Sequence, residues 1–248
     1  MTKLFRKDEI WFAIVCIIIY VLAFGNADSL SVEIGIPKLL TVAVGVIMST
    51  TLLAFVRKNG LGEYLGLCRV KPGSGKRCLY FLPLVIISSV NLWNGVAVSH
   101  PLSHILLHII SMCFVGFLEE LIFRGLLFNG MSKGSLTAAI IVSSVTFGAG
   151  HIVNLFMGAP LLDTLLQLVY AAAVGFCFTA VFLACGSILP CIIVHAIVNS
   201  LSIFALEPGV GMNLFMCIVQ TIVSLVYGFY LLKKHGQKEL QAEPDQIV

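Results

Sequence analysis

The stretch GFLEELIFRG, residues 116–125, puts two carboxylates and a guanidinium into an otherwise apolar run. Three charges facing lipid would cost about 8–10 kcal/mol, at roughly 2.5–3.5 kcal/mol each. They must therefore face protein or a water-filled cavity. Glu120 and Arg124 are spaced i, i+4 and share a helical face, so they can pair. Glu119 is turned about 100° from that face. One carboxylate is neutralised by its own helix, and the other is left over.

The partners for a spare carboxylate are few. His151 lies in FGAGHIVN, with Phe147 one turn before it and Asn154 almost one turn after, on the same face. His195 lies in HAIVN, with Asn199 one turn later. Ionisable groups inside a membrane are expensive and mark functional sites by default. A carboxylate with two imidazoles can activate water, hold a metal ion or relay protons. Counted from the helix ends, these residues fall within about 12 Å of one another along the bilayer normal. His100, His104 and His108 lie at the outer end of their helix, and His108 is about 16 Å along it from Glu119. They read as interfacial polar residues.

The elements that carry these residues belong in a bilayer. Hydrophobic residues make up 59% of the 248 and charged residues only 11%, against about 25% charged in soluble domains. The mean hydropathy is +1.03. Each helical span needs about 20 apolar residues. Eight segments qualify: 10–26, 37–56, 78–98, 101–130, 136–156, 162–184, 188–206 and 210–232. The expectation is an all-α, polytopic bundle forming one integral membrane domain over residues 1–248. No repeat, low-complexity tract or GxGxxG occurs, and VKPGSGKR, residues 70–77, reads as a loop.

Basic residues set the orientation, because short cytoplasmic loops are rich in Lys and Arg. Lys3–Lys7, Arg57–Arg77, Lys133, Lys233, Lys234 and Lys238 all fall inside if both termini are cytoplasmic. Lys38 is the outer exception, while Asp28, Glu33, Asp163 and Glu207 fall outside. The net charge of +3 is thus topological, and no basic stripe interleaved with aromatics suggests nucleic acid. Trp11 reads as an interface anchor. Residues 3–27 have an alternative reading as a cleaved signal peptide, whose loss would leave seven spans and the chemistry untouched. The eight cysteines sit in spans or cytoplasmic stretches, so they read as packing residues without disulfides.

The ordered set EELIFR (119–124), FGAGH (147–151) and HAIVN (195–199) resembles the motifs E-E-x-x-x-R, F-x-x-x-H and H-x-x-x-[NB]. These belong to the CPBP intramembrane endopeptidases, also called the Abi or type II CAAX prenyl endopeptidase family. The resemblance covers about residues 112–206, a catalytic core flanked by additional spans in 1–100 and 207–248. It implies a water activated by Glu119 and His151, an oxyanion held by His195 and Asn199, and support from Glu120 and Arg124. Phe147 matches the remaining motif position, and Asn154 shares the His151 face.

Peptide hydrolysis needs a base for water and donors for the oxyanion, and carboxylate, imidazole and amide supply both. The resemblance leaves two cofactor expectations: none, or a divalent metal such as zinc on Glu119, His151 and His195. No H-E-x-x-H is present. The expected partners are membrane lipids and a membrane-bound peptide or protein, prenylated or bearing a leader peptide, cut near the cytoplasmic leaflet. A bacterial plasma membrane suits the short loops. The competing classes are a non-catalytic immunity or scaffold protein and a proton-coupled transporter.

Overall fold

The structure, a computed structural model, describes residues 1–242, with side chains through Lys234. The side chain of Lys238 lies outside the described ones. The regular elements among the described residues are all helical, and the only β pairing there is an isolated bridge between Val96 and Ala205. After a short helix at Thr2–Lys7, α1 spans Glu9–Glu33 and α2 spans Leu39–Lys58. Helix α3 is short, Leu82–Ser89, and α4 spans Leu102–Glu120. Helix α4 continues without a break as a π-helical segment, Leu121–Phe128. Helices α5 (Leu136–Ala149), α6 (Leu161–Cys185), α7 (Leu189–Leu201) and α8 (Val210–Ala242) complete the bundle.

Local chemistry explains several boundaries. Asp8 caps α1, its carboxylate accepting from the Trp11 amide at 2.9 Å, and Ser135 caps α5 at Ala138 N. Helix α1 runs seven residues past the expected limit of 26. Asn26, Ser29 and Ser31 turn back onto the carbonyls of Leu22, Gly25 and Ala27, so polar residues continue the helix instead of ending it.

The span count differs from the eight expected. Among the described residues six helices are long and apolar enough to cross a bilayer, and two apolar stretches are shorter, Leu79–Leu92 and Leu189–Phe204. At about 1.5 Å per residue these reach only about 20–24 Å. The first opens with Leu79, Tyr80 and Phe81 at positive φ and ends in a 3-10 turn. Gly95, at φ 111°, then bends the chain, and Ala97 N donates to Phe204 O at 2.9 Å. The second also ends in a 3-10 turn, Ser202–Phe204. Asn91 Nδ2 donates to Val198 O at 2.6 Å and ties the two together. Hydropathy counts apolar residues, but these turns shorten the helices.

Helix α4 and its π segment occupy the centre. All eight residues of Leu121–Phe128 are buried. Helix α7 packs on α4, and α5 packs on α6, both through close backbone approach. A Cβ at Gly116 would lie 2.8 Å from Ala196 N, and one at Gly148 would lie 2.8 Å from Ala172 N. Small residues at helix crossings are how membrane helices gain contact without a hydrophobic drive.

The two ends of the bundle differ. At one end Glu9 pairs with Lys133 at 2.7 Å and accepts from Tyr64 at 2.6 Å, and Lys71 N reaches Cys185 O at 3.0 Å. At the other, Asp28 pairs with Lys38 at 2.8 Å and Asn213 donates to Asp163 at 2.7 Å.

Candidate active site

Four of the five charged or titratable groups of the motifs meet between α4 and α7. Glu120 and Arg124 have no solvent exposure, and Arg124 Nη1 donates to Glu120 Oε1 at 3.0 Å. The same oxygen takes His195 Nδ1 at 2.8 Å. His195 Nε2 then faces Glu119 Oε2 at 3.7 Å. One imidazole thus connects the two neighbouring carboxylates. The π segment begins at Leu121, so the helix widens one residue after the acids. π turns occur mostly as single-turn insertions, frequently at functional sites.

Phe147 is the hub beneath these groups. The Arg124 guanidinium lies over its ring, 4.0 Å from the centroid. Both histidines meet the ring edge-on, His151 at 5.8 Å and His195 at 5.6 Å between centroids. A cation on an aromatic face is attracted by the ring quadrupole, more strongly when desolvated. That contact covers a guanidinium whose Nε and Nη2 have no hydrogen-bond partner among the described residues. Gly175 of α6 leaves room here, since a Cβ there would lie 3.1 Å from Arg124 Nη2.

His151, in a 3-10 turn that follows α5, is oriented by an amide chain. Asn154 Nδ2 donates to Gln167 Oε1 at 2.8 Å, and Gln167 Nε2 stands 3.4 Å from His151 Nδ1. An amide NH2 only donates, so Nδ1 accepts and the ring proton sits on Nε2. Asn199 lies on the same helix as His195. Its carbonyl accepts from His108 Nε2 at 3.0 Å and from Ser202 Oγ at 2.7 Å.

Glu119, His151, His195 and Asn199 all line one cavity of about 580 Å³. A second cavity, of about 220 Å³ between α1 and α5, shares Glu119 and His151 with it. The expected site residues are therefore gathered: Glu120 and Arg124 seal the floor, and the other six, Phe147 and Asn154 among them, line the space.

Three participants were not anticipated. Tyr20 of α1 donates to Glu119 Oε1 at 2.6 Å, so the first helix belongs to the site. Residues 3–27 therefore do touch the chemistry. Tyr20 was visible as the lone phenol of an apolar run. Gln167 was visible as the lone amide in the first half of α6. His108, read as an interfacial residue, is half-buried in the larger cavity. It reaches Asn199 because the short α7 ends beside it.

A zinc ion would need lone pairs from Glu119, His151 and His195. His195 has the carboxylate behind its Nδ1 that metal-bound histidines typically show. His151 does not match, because Gln167 occupies its Nδ1 lone pair. Among the described residues no three His, Cys, Asp or Glu side chains are placed to share an ion. As arranged, the set does not fit a zinc site.

A family model described as Type II CAAX prenyl endopeptidase Rce1-like matches residues 101–201. That range runs from the start of α4 to the end of α7 and contains Glu119, His151, His195 and Asn199. No curated protein and no solved structure matches the chain.

Proposed function

With residues 101–201 belonging to the Rce1-like type II CAAX prenyl endopeptidases, we propose that this multi-pass membrane protein is a glutamate-type intramembrane endopeptidase. The observation that carries the reading is the convergence of Glu119, His151, His195 and Asn199 on one cavity.

In this mechanism Glu119 is the base. Tyr20 holds one of its oxygens, which leaves the other to take a proton from water. His151, with its proton on Nε2, donates to that water and orients it. The hydroxide adds to the peptide carbonyl carbon, the C–N bond breaks, and Glu119 returns the proton to the leaving amine. The oxyanion is held by the Asn199 amide and by His195. With Nδ1 committed to Glu120, His195 can donate through Nε2 only as imidazolium. Glu119, Glu120, Arg124 and His195 then sum to zero charge, an arrangement a low-dielectric site can hold. Glu120 and Arg124 orient His195 and take no part in bond breaking.

The substrate is a membrane-associated peptide or protein, prenylated or bearing a leader, and the membrane a bacterial plasma membrane. The test is cleavage of a peptide library by purified protein beside Glu119→Ala. Cleavage by wild type alone supports the reading, and equal cleavage by both removes it.

A further inference from the structure

The two ends of the site differ in access. Toward one end it is closed: Glu120 and Arg124 have no exposure, and behind them every residue of Leu121–Phe128 is buried. Toward the other end the cavities continue to the loops. Lys38, Asn94, Leu206 and Pro208 line the larger one, and Asp28 and Met157 line the smaller. Leu206 and Met157 are about half exposed, at 45% and 48%, so these linings reach the surface. None of the lining residues comes from the loops at the closed end.

Charge divides the same two ends. The closed end carries Lys3, Arg6, Lys7, the basic residues of 57–77, Lys133, Lys233 and Lys234. The open end has Lys38, itself paired with Asp28, together with Glu33, Asp163 and Glu207. Short loops rich in Lys and Arg stay in the cytoplasm, and this bias sets topology. The closed end is then cytoplasmic. By helix count Glu119 stands nearer that end, but access runs the other way.

We propose that the site is fed from the non-cytoplasmic side: its substrate is a membrane-tethered peptide whose scissile segment has already crossed the bilayer. This rests on the endopeptidase reading and specifies which substrates it can meet. The reaction that supplies them is a translocation step, and the released fragment leaves outside the cytoplasm. The mouth suits such a segment. Asn94, Asn199 and His108 are among the polar groups that this cavity sets between apolar walls, so an extended peptide can satisfy its backbone there.

Two measurements test this separately. First, Glu207→Cys at the open end and Lys76→Cys at the closed end are treated with an impermeant maleimide in intact cells, beside wild type. Labelling of Glu207→Cys above the wild-type level, with Lys76→Cys labelled only after permeabilisation, is expected. The reverse pattern overturns the proposal.

Second, right-side-out and inside-out vesicles from the same cells receive a quenched fluorogenic peptide library. The peptides are tethered to an added lipid by a polyethylene-glycol spacer that cannot cross. Cleavage in right-side-out vesicles is expected, with loss to the Glu119→Gln level in inside-out ones. Cleavage confined to inside-out vesicles overturns the proposal even if labelling gives the expected orientation. Cleavage in neither, with the expected labelling, overturns the endopeptidase reading beneath it.

Discussion

His195 Nδ1 lies 2.8 Å from Glu120 Oε1 while its Nε2 looks across 3.7 Å to Glu119 Oε2. The two adjacent glutamates therefore have different work. Glu120, itself without exposure, is committed to Arg124 and His195, and Glu119 keeps one oxygen on Tyr20 and the other toward the cavity. Glu120→Gln should destabilise the fold by about 3–5 kcal/mol, because it leaves Arg124 buried without its counter-charge. Glu119→Gln should keep the melting temperature in detergent and lose turnover. Equal loss of melting temperature in both, with activity following it, would refute the division.

Tyr20→Phe tests the contact from α1. The phenol fixes the carboxylate proposed as the base, and a hydrogen bond to a charged group contributes about 1.5–3 kcal/mol. Turnover should fall roughly ten- to hundredfold, with KM and melting temperature little changed, since the ring still packs on Phe24. A matching rise in KM would place Tyr20 in substrate binding instead.

Asn199→Asp separates an oxyanion donor from a proton relay. Replacing a donor by an acceptor should cut kcat by at least about 10², with binding little changed. A proton path would tolerate the carboxylate. Single-turnover cleavage beside proton flux in proteoliposomes decides between them. Preserved cleavage with altered flux would end the protease mechanism.

Exhaustive chelation should leave most of the activity, and elemental analysis should find zinc well below stoichiometric amounts. Full loss, rescued by one equivalent of zinc, would reassign Glu119, His151 and His195 as ligands and require His151 to leave Gln167.

An alkaline limit comes from the cluster at Glu9. Burial, and then the bond to Glu9, push the Tyr64 phenol up to about 12. The bond to Glu9 also raises the Lys133 ammonium above its usual value. Both are proton-bound forms favoured by folding. Their contribution is complete below the unfolded values near pH 10 and is lost as pH rises through the raised ones. Melting temperature should be flat from about pH 7 to about pH 9 and fall above about pH 10, less steeply in Tyr64→Phe. An unchanged slope in that variant would dismiss the cluster.

The site was more legible than the frame around it. Glu120 and Arg124 could be paired from spacing alone, and the surplus of Glu119 followed from the same helical geometry. The histidines and Asn199 stood out because polar groups in apolar helices must have a reason to be there. Tyr20 and Gln167 are also polar residues in apolar helices, but their hydroxyl and amide carry no charge. Nothing in the spacing said which carboxylate or ring they would reach. The shortened helices ending at Leu92 and Phe204 were hidden because hydropathy does not register 3-10 turns. His108 followed from that error, since a full-length α7 would have carried the chain past it.

Gly116 precedes Glu119 by three residues, and Ala196 follows His195. Their backbones touch with no room for a methyl group. The separation of acid from imidazole is consequently gauged by main chain against main chain, one turn from the reacting atoms. Side chains facing lipid can exchange rotamers, and the surrounding lipid can change thickness or composition, without altering that gauge. The clearance at the site is built into the crossing itself, where no substitution other than glycine leaves it at its present value.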